Sequence, residues 1–253
     1  MAATPRGDQS ENDRLSSGES RSMPPVKQAV NASDCRRILI VGAGGFGREV
    51  FHWLKDALSG DSSKITGFLS VDSHQLEGFS CPLPILGDPS SFIPEPTDGL
   101  VLAIGVPEVR RRVAETLVGV GAHFLTVIHP TAIVADTARI ATGAIISPFC
   151  IVSDAAYVGE FVLMNYHSSL GHDSSAGDFA VLSPYATLGG GAHIAEDVFL
   201  GLHASVGPGK SVGARSKVSA NSWVLATAPC DSIIYGVPGR IGRRVVLDPK
   251  ISA

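Results

Sequence analysis

Cysteine is scarce in this 253-residue chain, and the four present, Cys35, Cys81, Cys150 and Cys230, are widely scattered with no C-x-x-C pair. That spacing excludes a disulfide framework and a cysteine-rich zinc site, and it suits reduced thiols in the cytoplasm. Long apolar runs are also missing. RILIVG and GLVLAIGV are far too short to cross a bilayer, and the N-terminal residues have no apolar core of the kind a secretory signal needs. Charge of one sign is lacking too. The net charge of −4 implies no general attraction to nucleic acid or to a membrane surface. What remains, with 44 % hydrophobic residues, is enough to bury one large core or two moderate ones.

The dominant feature present is a repeat. From Ile133 to Ala228 the chain divides into sixteen uninterrupted hexads, among them IVADTA, RIATGA, LMNYHS, SLGHDS, TLGGGA and SVGPGK. The second place is Val, Ile, Leu or Met in every hexad except the one with Ala176, and the sixth is small or Val in all but the one ending at Lys210. A period of six fits neither a helix nor simple strand alternation; it predicts a parallel β-helix. The aliphatic place would fill the bore, and the small place would let the chain turn.

Ahead of the repeat, strand and helix patterns alternate. RILIVGAGGFGREVFHWLKDAL reads as strand, Gly-rich turn and amphipathic helix. ITGFLSVD, a short apolar piece near Leu83–Leu86, GLVLAIG, a helix from about Pro107 to Val120 and a last strand HFLTVIH follow. This alternation predicts a parallel sheet in a Rossmann-like α/β domain. The expected division is a disordered extension over 1–35, the α/β domain over 36–128, the β-helix over 129–228 and a short tail over 229–253.

Gly42-x-Gly44-x-x-Gly47 joins a strand to a helix, where its N–H groups can cradle a phosphate. Asp72, after the second strand, stands where a ribose-binding carboxylate would be expected. The domain is only about half the usual dinucleotide fold, so a nucleotide or nucleotide-sugar site is expected rather than hydride chemistry.

Three hexads make one triangular coil, so residues 18 apart stack about 4.8 Å from one another. Asp136, Asp154, His172 and Gly190 then form one column; His167, Tyr185 and His203 form another. His172 has Asp173 beside it in sequence and, by expectation, Asp154 beneath it. A carboxylate that fixes the imidazole's tautomer is what a general base needs. The spacing His167-x4-His172 also occurs in hexapeptide-repeat carbonic anhydrases, but the third His ligand they require upstream is absent between Pro130 and Tyr166, so no metal is expected.

With these motifs in place, ILIVGAGGFGREV, LAIGVPEVRRRV, IHPTAIVADTARI, the Asn165…His172-Asp173 pattern, GDF at Gly177–Phe179, FLGLHASVGPG and YGVPGR, the chain resembles the sialic-acid O-acetyltransferase-like family of sugar acyltransferases. That family includes N-acetyltransferases of UDP- and GDP-linked 4-amino sugars. The resemblance implies a homotrimer of left-handed β-helices with acetyl-CoA between neighbouring solenoids. It implies His172 as base with Asp173 as companion, acetyl-CoA contacts at Gly190, Leu202 and Ala220, and acceptor contacts at Gly44, Gly45, Asp72 and Gly105. The chain departs from the pattern in three places. Val181 stands where some members have a second His, Val106-Pro107 follows the A-I-G strand, and Ser70-Val71-Asp72 replaces a paired Asp. Lys210, Arg215, Lys217 and Arg240 are candidate partners for the phosphates of CoA. The alternatives are a non-catalytic trimeric nucleotide-binding scaffold and, ranked below it, a hexapeptide-repeat carbonic anhydrase-like metalloenzyme.

Overall fold

A computed structural model describes residues 35–59 and 62–244. The expected extension over 1–35 falls, except for Cys35, outside the described residues.

Apolar alternation builds the N-terminal sheet. In β1 (Arg37–Val41), Ile38 and Ile40 point to one side and Leu39 and Val41 to the other, all fully buried. The first pair packs under helix α1 (Gly45–Ala57) with Val50, Phe51 and Leu54. The second packs under helix α2 (Pro107–Gly119) with Ala114 and Leu117. A strand buried on both faces is the mark of a parallel sheet with helical crossovers. The sheet runs β3 (Ile85–Gly87), β2 (Ile65–Leu69), β1, β4 (Asp98–Leu102), β5 (His123–Phe124), all parallel.

HFLTVIH does not form one strand. His123–Phe124 closes the α/β sheet, whereas Val127–Ile128 pairs with Ile145–Ile146 as the first rung of the solenoid. From there two-residue strands recur every six positions, ending at Trp223–Val224, and pair in parallel at a separation of 18. They form the three faces of a left-handed parallel β-helix. Face I carries Val127, Ile145, Leu163, Val181, Phe199 and Lys217 in the first place. Face II carries Ile133, Ile151, Ser169, Thr187, Ser205 and Trp223, and face III Arg139, Tyr157, Ser175, His193 and Ser211. The tail extends face I with Ser232–Tyr235, which pairs antiparallel with Arg240–Arg243.

The bore is filled as the hexads predict, by second-place aliphatics together with the sixth-place small residues, which are buried beside them. The turn itself is made elsewhere. The sixth-place N–H bonds back to the third-place carbonyl, as in Ser168 to Asn165 and Ala180 to Gly177. This leaves the fifth place at positive φ in fourteen consecutive corners from Gly143 to Asn221, eleven of them non-glycine. A left-handed residue costs about 1–2 kcal/mol, so each corner needs support. It comes from the fifth-place N–H, which in the corners from Phe161 on donates to a fourth-place carbonyl of the preceding coil, for example His167 to Pro148 and Asp173 to Asp154, and at Gly143, Phe149 and Ala155 donates to a threonine hydroxyl.

The α/β domain sits on face I and its corner with face III. Val127, Ile145, Leu163 and Val181 project outward from the solenoid into the α1 layer and are at most 3 % exposed. Each such burial contributes about 1.5–3 kcal/mol. At the corner, Phe161 and Phe179 stack at 4.9 Å under the α2 layer. Arg111 lies over Phe179 and bonds both carboxylate oxygens of Asp197 at 2.9 Å. His129 bridges Asp56 of α1 (3.2 Å) and Thr131 of the first coil (2.8 Å).

Candidate active site

The hexad SLGHDS shapes its corner place by place. Leu170 fills the bore. Gly171 is required by packing, since a Cβ there would sit 2.8 Å from the Gly190 nitrogen. Asp173 takes the positive-φ place (φ 56°), which turns its carboxylate back onto His172, Oδ2 lying 2.7 Å from Nδ1. Ser174 is buried and donates to the Gly171 carbonyl at 2.6 Å. With the Nδ1 proton directed at Asp173, Nε2 carries the lone pair. The side chains of this pair are 71 % and 67 % exposed, so the imidazole faces solvent rather than the protein core.

Gly190, one coil on, completes the corner. A Cβ at Gly190 would fall 2.4 Å from His172 Nε2, so the bare glycine is what lets the ring lie against that coil. The Gly190 N–H makes no hydrogen bond among the described residues. The column Asp136–Asp154–His172–Gly190 therefore has the expected order, but one expected contact is absent. The Asp154 carboxylate accepts from the Thr137 hydroxyl, and that oxygen accepts the Ala155 N–H at 2.9 Å. Among the described residues, only Asp173 hydrogen-bonds the imidazole.

Leu202 and Ala220 lie on a different corner, between faces I and II, in the fourth place of successive coils. Within one chain they do not meet His172. The same corner carries His167, in a ladder of parallel rings: Phe149–His167 at 5.0 Å, His167–Tyr185 at 4.7 Å and Tyr185–His203 at 4.6 Å. His167 and His172 thus occupy separate corners and are not a chelating pair. No group of three or more His, Cys, Asp or Glu able to hold a metal occurs among the described residues.

The other predicted residues gather at the carboxyl ends of β1, β2 and β4. Two glycines there serve packing. A Cβ at Gly47 would lie 2.0 Å from the Gly42 carbonyl oxygen, and one at Gly42 (φ 109°) 2.5 Å from that of Ala103. Gly44, Gly45 and Gly105 are different. Among the described residues, no atom comes within 4 Å of a Cβ position at Gly105, and around Gly44 and Gly45 only the tips of Gln75 and Arg48 do. Their bare backbone borders open space where the strand order reverses between β1 and β4, the place where doubly wound sheets bind ligands. Neither helix starting there has a side-chain cap on its first turn. Asp72 lies beside them in an Asx turn, one oxygen accepting the His74 N–H at 2.9 Å.

Of the candidate cations, Arg215 is engaged by Asp231 at 2.7 and 2.8 Å, and Lys217 lies over Phe199. Lys210 is half-buried beside Gly207, and Arg240 is exposed in the terminal hairpin. Val181 is buried in the face I layer with Ile145 and Leu163, so that position is given over to packing between the domains. The sequence reading missed Arg110, Arg111 and Asp197. The 18-residue separation of Phe161 and Phe179 was a readable signal of that corner, but the partners on α2 were not.

The N-terminal region, residues 37–117, matches the family model described as PglD N-terminal domain. A GDP-perosamine N-acetyltransferase of Escherichia coli O157:H7 is 30 % identical over 146 residues, an alignment covering 55 % of this chain and 64 % of that relative. The match therefore spans somewhat less than two thirds of the curated relative's length. PerB from Caulobacter crescentus, solved in complex with CoA and GDP-perosamine, is 26 % identical with a TM-score of 0.73, over 81 % of this chain and 97 % of its own. The chain is similar to these nucleotide-sugar acetyltransferases. A second similar structure, WeeI from Acinetobacter baumannii AYE, is 25 % identical with a TM-score of 0.73, over 81 % and 99 % of the two chains. The two structural likenesses each cover 81 % of this chain.

Proposed function

We propose that this chain transfers an acetyl group from acetyl-CoA to an amino group, or a hydroxyl, of a nucleotide-linked sugar, with His172 as general base. The observation that carries the reading is the His172–Asp173 pair with Nε2 turned outward against Gly190. The acceptor nitrogen attacks the thioester carbonyl while Nε2 removes its proton. The Gly190 N–H stabilises the oxyanion that forms. The C–S bond then breaks, and the CoA thiolate leaves and takes up the proton. No covalent enzyme intermediate is needed.

Gly44, Gly45 and Gly105 hold the acceptor's nucleotide by backbone N–H groups at the two uncapped helix starts, with Asp72 on the ribose. Leu202 and Ala220 contact acetyl-CoA from the corner between faces I and II. Because that corner and the His172 corner are separate within one chain, they can serve one acetyl-CoA only across a groove between copies. This supports a homotrimer in which neighbours complete each site.

Release of thiol from acetyl-CoA, followed against a panel of nucleotide-linked amino sugars with free amino sugars as controls, tests the reaction. Turnover with a nucleotide-linked amino sugar that disappears in His172→Ala, while acetyl-CoA affinity stays, supports it. Retained turnover in that variant removes His172 from the role of base. Nucleotide binding without any acetyl transfer would instead favour a non-catalytic scaffold.

A further inference from the structure

Arg110, in the first turns of α2, is the largest fully buried side chain among the described residues, and no carboxylate pairs with it. Its Nε donates to the Phe161 carbonyl at 2.6 Å, and its Nη1 donates to the carbonyls of Leu102 (2.6 Å) and Ile104 (2.9 Å). Nη2 has no hydrogen-bond partner among the described residues. Burial disfavours the charge strongly enough to bring its pKa down to about 9. Leu or Met would fill the same space without that penalty, so packing does not explain a guanidinium here.

Its three acceptors do explain it, because they belong to two domains. Leu102 and Ile104 flank Ala103 at the end of β4, just before the bare backbone of Gly105. The Ala103 carbonyl is the atom that excludes a Cβ from Gly42 in the Gly-rich turn. Phe161 is a positive-φ corner of the solenoid (φ 54°), and His172 lies on the second corner after it. One planar, rigid fork thus joins the loop beside the acceptor crevice to the shaft that carries the base. Arg111 reinforces the same junction from outside, but it is partly exposed and its pairs are open to screening.

We infer that Arg110 is a positioning residue for acyl transfer: its guanidinium fixes the 102–105 loop to the Phe161 corner, and so sets where a nucleotide-anchored acceptor meets His172. The inference rests on the reading under Proposed function. A misplacement of about 1 Å far from the chemistry can lower a rate on the order of 10²-fold, and the geometry predicts a loss of that order.

The test uses Arg110→Met, which keeps the length and removes every donor, and Arg110→Lys, which keeps the charge but not the fork. In both, kcat for a nucleotide-linked amino sugar is expected to fall on the order of 10²-fold. Transfer to the same sugar without its nucleotide, acetyl-CoA affinity and nucleoside diphosphate affinity should stay at wild-type values. Unchanged kcat, or a parallel decline of all four with the melting temperature, overturns the inference. The wild type supplies a measurement independent of folding. Nucleoside diphosphate binding should slow amide exchange at 160–163 in the solenoid as well as at 102–106. Protection confined to 102–106 overturns the inference even if both variants fail to fold. Failure of the wild type to bind any nucleoside diphosphate removes the functional reading itself, a distinct result.

Discussion

The ring of His172 occupies the volume that a side chain on Gly190 would need, its Nε2 only 2.4 Å from where a Cβ would stand. His172 and Gly190 are thereby set against each other by the pitch of the solenoid alone. Gly190→Ala keeps the N–H and adds one methyl group. It is expected to lower kcat on the order of 10²-fold by displacing the ring. The check is a double-mutant cycle, in which Gly190→Ala should add nothing once His172 is Ala. Additive losses would mean that the two residues act independently.

Asp173 Oδ2 lies 2.7 Å from His172 Nδ1. Asp173→Asn tolerates the left-handed corner as well as Asp does, so the fold should persist. Without the carboxylate the tautomer and orientation of His172 are no longer fixed, and under the proposed mechanism kcat should drop on the order of 10²-fold while the KM for acetyl-CoA holds. A rise in KM alone would place Asp173 in binding instead.

Ala176 is the one small residue among the second-place aliphatics, and it is fully buried between Val158 and Ile194 on face III. Ala176→Leu should overpack the bore and destabilise the chain by about 1–3 kcal/mol, read from denaturant unfolding. A stabilised variant would show that the bore has room there.

The Arg215 guanidinium hydrogen-bonds Asp231 and holds its carboxyl below its usual 3.8. A depressed carboxyl stabilises the fold above its unfolded pKa, and that contribution disappears as pH falls through the folded value. The difference in melting temperature between wild type and Asp231→Asn should therefore be present at neutral pH and shrink below about pH 4. A difference that persists at lower pH would have some cause other than this pair.

Burial among bore residues pushes the Cys150 thiol up to about 11, whereas Cys230 is exposed. Thiol-specific alkylation of the native chain near pH 8 should label Cys230 and leave Cys150 unmodified until denaturant is added. Mass analysis of the labelled peptides reads this directly.

The solenoid was legible because each hexad repeats one local solution: Val152, Leu170 and Leu188 stack at 18-residue steps, and the eye can find that period. The His172 corner was legible for the same reason. What stayed hidden depends on contacts with no fixed separation. Asp154 turns to Thr137 rather than His172 because a neighbouring hydroxyl is nearer than the ring one coil up. Val127 joins face I, although HFLTVIH reads as one strand, because its partner is Ile145. The bonds of Arg110 to Phe161 and of Arg111 to Asp197 span 51 and 86 residues between unlike elements, with no pattern in the sequence to announce them.

The run of left-handed corners turns the chain into a ruler. Each 18 residues advance the shaft by one graduation of about 4.8 Å, and each graduation presents the same three edges in the same orientation. A whole coil inserted beyond Gly190 would lengthen the shaft by one step and leave the His172–Gly190 corner as it is. A single residue inserted anywhere between Phe161 and His172 would rotate His172 off its edge. Length along this molecule can change in whole coils; phase around it cannot.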